Sequence, residues 1–296
     1  MKTAEENKKD DSFKNSRFLK IFLTILIIAA IAGYAYYVSN MKKRIKNNED
    51  ITAETVNSDQ TEEAENHISK PKSGEKYKAG DIIEYGSYPY YADGEEKAIE
   101  WQILEKNDDG TALVISRYAL DSMPYYKSCE HITWEQSTIR QWLNNDFYDK
   151  AFQDVDKNII LESNVINEDN KQFDSEGGND TKDKIFLLSI NEANKYFDSD
   201  VSRAAEATPY AEKRGVWTVG YVKRNHRKIV EKAFPQWKKK GFPDFGCWWW
   251  LRSPGMDNAL ASLVLIEGEI YNIGYQVNGG SGAIRVAMKI DLSKFS

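Results

Sequence analysis

The stretch CWWWLRSPG, residues 247–255, decides how the rest of the chain is read. Three adjacent tryptophans are costly to leave in water, because each ring carries ~150–250 Å² of surface. On an extended strand Trp248 and Trp250 point to one side and Trp249 to the other. Both sides must then be covered, and a central strand packed on both faces covers them. We read the run as core. Trp248, at its edge, is the position that this reading leaves open to a ligand.

Working outward, the C-terminal part is strands and turns. Residues 261–273, ASLVLIEGEIYNI, place a tight turn at Glu267-Gly268 between two β-rich runs, and AIRVAMKIDL over 283–292 closes the chain. At the other end of the body, GDIIEYGSYP (80–89) reads as a strand ending in turn residues. Residues 98–120 hold two β-rich runs around Asp108-Asp109-Gly110, a hairpin signal. Trp101 and Ile103 share a strand face and belong to the core.

The middle is helical. In 133–152, Ile139, Trp142 and Leu143 fall on one helix face, with Ser137 or Thr133 as the cap. A second helical stretch is expected to place Val155, Ile159 and Ile160 together. Residues 184–197 join a short strand to a helix, whose start is marked by Ser189 and Glu192 at capping-box spacing. Pro209 suits the first turn of another helix. Central helices between hairpins predict an α+β fold, with the first and last strands in one sheet.

The N-terminal quarter differs. Residues 21–38, IFLTILIIAAIAGYAYYV, run 18 positions without a charge, enough to span ~30 Å of hydrocarbon. Tyr34, Tyr36 and Tyr37 sit at one end, as interfacial aromatics do. Ala30-Ile31-Ala32 offers a cleavage pattern, but the residues beyond it stay apolar, which favours an uncleaved anchor. Lys14, Arg17 and Lys20 precede the span, and Lys42, Lys43, Arg44 and Lys46 follow it. We take 1–20 as a short cytoplasmic tail, 21–38 as a single-pass transmembrane helix and 77–296 as a domain outside the cell membrane. Between them, 39–76 is an acidic flexible linker. Its stretch 49–67 holds seven Asp or Glu and no Lys or Arg, too little apolar surface to offset ordering.

Net charge is −6, and residues 51–296 carry 30 basic against 40 acidic side chains. An acidic body excludes general nucleic-acid binding. The contrast is 223–240, KRNHRKIVEKAFPQWKKK, with eight Lys or Arg and one Glu. It is a solvated helix or a contact for an anionic polymer or lipid headgroups. The residues supply no recognisable cofactor or metal set. The turn at 174–183, DSEGGNDTKD, gathers oxygens without the EF-hand spacing. Cys129 and Cys247 are the only cysteines; a disulfide between them would add ~4–5 kcal/mol.

Seven segments in order carry a resemblance: GDIIEYGSYP, IEWQIL, SRYALDSMPY, TWEQSTIRQWLNNDFYDKAF, FLLSINEANKYF, WWLRSPG and GAIRVAMKI. Together they resemble a bacterial domain of unknown function with the WWLRSPG signature. That domain is more distantly similar to the C-type-lectin-like fold shared with formylglycine-generating enzymes. The resemblance implies a central antiparallel sheet with flanking helices, containing the Trp-rich strand and a late Gly-x-Arg strand. Here Gly282 to Ala287 resembles the latter, with Val286 where a proline is usual, and 216–246 stands as a basic insertion.

Arg252 and Arg285 are read as forks tying loops to the sheet. The fold's binding face, loops after the Trp-rich strand and before the last strand, implies Asp257, Asn258, Tyr271, Asn272, Tyr275, Gln276 and Asn278. The function expected is recognition of a protein or glycan at the cell envelope. The alternatives are an envelope enzyme of the sulfatase-modifying type and a structural protein without a ligand. The cysteines of the enzyme type lie close together late in the chain. These are 118 positions apart, so that catalytic assignment does not carry over.

Overall fold

The computed structural model describes residues 77–154, 156–225, 227–228 and 246–295. The predicted span at 21–38, the linker at 39–76, Val155 and most of the basic stretch lie outside them. Among the described residues no helix is long and apolar enough to cross a membrane.

The fold is α+β. Its strands are β1 (Ile82–Pro89), β2 (Glu96–Lys106), β3 (Thr111–Ser116), β4 (Asp121–Ser122), β5 (Ile160–Leu161), β6 (Ser163–Val165), β7 (Thr181–Asp183), β8 (Ile185–Phe186), β9 (Trp249–Pro254), β10 (Leu260–Val264), β11 (Ile270–Gln276), β12 (Ala283–Ile284) and β13 (Ala287–Asp291). One sheet runs β1-β2-β3-β13-β5, with β8 also on β13. Its strands are antiparallel, and β13 lies against β3 from Ala287↔Ile115 to Asp291↔Thr111. The first and last strands of the domain therefore do share a sheet.

The second sheet runs β11-β10-β9-β12-β4. The signature strand β9 is its middle member, antiparallel to β10 and parallel to β12. Trp101, Ile103, Trp249, Trp250 and Leu251 have no exposed surface, so the core reading of the tryptophans holds. Burying one indole contributes roughly 4–6 kcal/mol at ~25 cal/mol per Å², before side-chain ordering is subtracted. A Cβ at Gly282 would run into the Trp250 indole, which is why the turn before β12 carries no side chain there.

The helices follow the sequence signals with one correction. Thr138–Trp142 is capped by the Ser137 hydroxyl, which accepts from the Arg140 amide. The Thr133 side chain makes no cap hydrogen bond. A π-type turn, Leu143–Phe147, continues into Tyr148–Ala151, burying Ile139, Leu143 and Phe147 while Trp142 stays half-buried. Ser189 and Glu192 form the expected capping box on Ile190–Tyr196, and Pro209 opens Pro209–Arg214.

The second helical stretch is instead a single 3-10 turn, Asp156–Ile159, and Ile160 begins β5. Pairing of Ile160 and Leu161 with β13 takes these apolar residues into the sheet edge. Of the insertion 216–246, Val216, Val219 and Val222 are buried, the last two on the helix Val219–Asn225.

Candidate functional site

The signature residues are held internally. Trp248 meets Trp250 edge to face at 4.8 Å and Tyr275 at 5.4 Å, so these three share one side of the strand. Trp249 faces the other side, where Arg285 lies over its ring at 5.3 Å and over Phe197 at 5.2 Å. The Arg285 guanidinium donates to the carbonyls of Ser116 (2.9 Å) and Arg203 (3.2 Å). Among the described residues no carboxylate pairs with it, and burial pulls its pKa down to about 10, still charged at neutral pH.

Arg252 donates to the carbonyls of Leu187 (2.7 Å) and Ile166 (2.9 Å) and to the Glu192 carboxylate of the capping box. Both arginines are the loop-to-sheet forks expected of them.

The cysteines are both free, Cys129 exposed and Cys247 buried. Burial pushes the Cys247 thiol up to about 12, the opposite of an activated nucleophile. Among the described residues no three His, Cys, Asp or Glu side chains gather to hold a metal.

The seven predicted binding residues divide. Three are engaged in fastening loops. Asp257 accepts from the Ala259 amide at 2.8 Å, closing its own turn. Asn258 donates to the Glu176 carbonyl at 2.7 Å. Asn272 donates to the Gln172 side chain, and its carbonyl accepts from Asn170 at 2.9 Å. Asn170 also donates to the carbonyls of Pro254 and Gly255, pinning the end of β9 to β11.

Tyr271 and Tyr275 are half-buried on β11, and Gln276 and Asn278 are exposed at its end and beyond. Burial raises the Tyr275 hydroxyl pKa, and burial with the nearby Glu269 raises that of Tyr271, so both remain neutral donors. The structure thus joins Tyr275 to the tryptophans, leaves Gln276 and Asn278 at the surface, and commits the other Asp and Asn residues to the scaffold.

A second feature was missed from the sequence: a shallow cleft with room for about one water molecule, lined by Tyr88, Tyr90, Lys97, Glu100, Tyr118 and Thr208 among others. It lies where β1 runs out into Tyr90-Tyr91. Tyr90 meets Tyr91 at 5.1 Å and Tyr118 at 6.0 Å, both edge to face. Lys97 stands over Tyr90 at 4.9 Å and Arg117 over Tyr118 at 5.4 Å. Glu100 receives both cations, from Lys97 at 3.3 Å and from Arg117 at 2.7 Å. Burial alone would raise the Glu100 carboxyl, but the hydrogen bonds from Arg117 and Lys97 hold it below the ordinary range.

Beneath, Tyr88 donates to Asp121 at 2.8 Å, and Arg214 donates to the same carboxylate at 3.0 Å. The available sequence signal was the SYPYY run, 87–91: tyrosines crowded against a turn carry ring area that a turn cannot bury.

The chain belongs to the family described as domain of unknown function (DUF6273), whose model matches residues 109–292. No curated protein and no solved structure matches it.

Proposed function

We propose that the chain is a single-pass membrane protein whose head, outside the lipid, recognises a protein or glycan ligand at the cell envelope. In this reading 21–38 is the anchor, 39–76 the stalk, and 77–296 a C-type-lectin-like ectodomain. The place of β9 in the middle of the second sheet, with β12 beside it, supports the lectin-like reading. It is the placement that the resemblance implies for the Trp-rich and Gly-x-Arg strands.

One observation carries the recognition reading. The signature strand is interior throughout, whereas β11, two places away, and the turn after it keep Tyr271, Tyr275, Gln276 and Asn278 at or near the surface. Half-buried tyrosines give contact area at small entropic cost, and amides give adaptable hydrogen bonds. The basic stretch 223–240 adds an accessory contact for an anionic polymer or lipid headgroups.

The test is binding of the full chain, reconstituted in nanodiscs, to arrays of envelope glycans and cell-wall fragments and to envelope protein extracts. A specific binder that is weakened by Tyr271→Ala or Asn278→Ala supports the reading. Saturable binding that neither variant moves, or no binding to any fraction, overturns it.

A further inference from the structure

The loop 167–180, between β6 and β7, holds none of the residues to which the recognition reading assigns its contacts. We infer that this loop binds one calcium ion. Asn167 carries the observation. It is 8% exposed, and its Oδ1 is a buried acceptor that meets no donor among the described residues. A buried acceptor left unmet marks a place for a water or an ion. The rest of the residue fixes where that oxygen points. Nδ2 donates to the Asn179 carbonyl at 2.8 Å, and the Asn167 backbone amide donates to Asp180 Oδ1 at 2.9 Å. Oδ1 therefore opens on the segment 177–180.

Its surroundings are oxygen. The Gly177 amide donates to Asp169 Oδ1 at 2.9 Å, across the loop from Asp180. Asp169 and Asp180 each keep a second carboxylate oxygen with no partner among the described residues. The Asn167 and Glu168 carbonyls accept no hydrogen bond among those residues either. They lie so near Gly177 that a Cβ there would sit 2.1 and 2.6 Å from them, so glycine is what lets the two sides of the loop close. Residues 168–180 carry five Asp or Glu against one Lys. A water would meet Oδ1 and leave that charge uncompensated, whereas a cation answers both.

The oxygen set selects among cations. Two carboxylates are too few for a compact acidic or thiolate cluster, but calcium fills the rest of its shell with amide and carbonyl oxygens and water, in irregular geometry. Magnesium demands a near-ideal octahedron and gives up its waters reluctantly. Zinc favours nitrogen and sulfur, and 167–180 contains no His or Cys. The ion would tie 167–169 to 177–180. The same loop holds Asn258 through the Glu176 carbonyl and Asn272 through the Gln172 side chain. Calcium would thus stiffen the support on which the recognition hairpin leans.

The experiment is calorimetry on the full chain, treated with chelator and held in nanodiscs of zwitterionic lipid, titrated with calcium and then with magnesium. Melting midpoints are read with and without calcium. One calcium per chain is expected, with a Kd of about 10⁻⁴–10⁻³ M, the range of extracellular modules, and a raised midpoint. Magnesium should bind at least roughly tenfold more weakly. Asp180→Asn and Asp169→Asn keep the oxygen that each backbone amide uses and remove one charge. Each should weaken calcium roughly tenfold or more while melting like wild type in chelator. The inference is overturned if calcium does not bind at millimolar concentration, if both variants bind it as well as wild type, or if magnesium binds as tightly. The titration uses no recognition ligand and neither variant touches Tyr271 or Asn278, so failure here and failure of the hairpin reading are separate results.

Discussion

Arg285 and Arg117 each lie over aromatic rings at nearly the same distance, 5.2–5.3 Å for Arg285 and 5.4 Å for Arg117. Their surroundings differ. Arg285 is 2% exposed, donates only to backbone carbonyls and has its pKa pulled down by burial. The Arg117 side chain is 52% exposed, and the hydrogen bond to Glu100 raises its pKa. A cation over a ring is therefore a structural rivet in one place and an adjustable rim in the other. What decides is whether water and a carboxylate can reach the charge.

The comparison breaks most easily at Trp249. Truncating it removes a fully buried indole and one of the two rings that shelter Arg285. Trp249→Ala should destabilise the head by about 3–5 kcal/mol, read by chemical denaturation of the full chain in detergent. A loss below about 1 kcal/mol would mean that the site collapses freely and that the signature is not the rivet described.

Gly282 and Gly280 sharpen it next. A Cβ at Gly282 meets the Trp250 indole, while at Gly280 nothing lies within 4 Å. Gly282→Ala is expected to cost about 1–3 kcal/mol, as overpacking does. Gly280→Ala should leave the melting midpoint unmoved; equal effects would refute the close packing behind β12.

Much of the interior was legible for a physical reason. The WWW run has no polar alternation, so it had to be covered on both faces, and Trp101 and Ile103 followed from strand period alone. The capping box at Ser189 and Glu192 is a local rule and needed no tertiary knowledge. What escaped was set by long-range pairing. Ile160 reads as helical until β13 offers it an edge, and the bonds from Asn258 to Glu176 and from Asn272 to Gln172 join loops far apart in the chain. Sequence left the pairing of Cys129 and Cys247 open, and the fold separates them by burial. One thiol per native chain should react rapidly with Ellman's reagent at pH 8, and both only after denaturation. Two fast thiols, or none, would contradict that separation.

Tyr125 tests the interior at a smaller scale. It is fully buried and donates to the Arg252 carbonyl at 2.8 Å. Tyr125→Phe should cost about 0.5–1.5 kcal/mol at neutral pH. The same residue gives a pH prediction. Burial raises the hydroxyl pKa of Tyr125, Tyr88 and Tyr275 above the ordinary tyrosine value of about 10. A group whose folded pKa is raised contributes stability that is full below its unfolded pKa and lost as pH climbs past it. The head should therefore weaken above about pH 10, and Tyr125→Phe should flatten that slope. Arg285 works the other way, because its depressed folded pKa favours the native state as pH rises from about 10 toward its unfolded value, so the net loss is smaller than the tyrosines alone imply. An equal slope above about pH 10 in wild type and Tyr125→Phe would show that the Tyr125 hydroxyl ionises as readily folded as unfolded.

The smallest expected effect on stability is at Tyr91. Its ring is 46% exposed and touches Tyr90 edge to face without a hydrogen bond among the described residues. Removing it should change stability by no more than about 0.5 kcal/mol, the ordinary range for a surface position. Were Tyr91→Ala to cost as much as Gly282→Ala, the tyrosine cluster would be a second rivet like Arg285 and its ring area would be serving the fold. A near-zero cost would show that the fold holds the Tyr91 ring at the surface without depending on it, as is ordinary for a singly exposed aromatic.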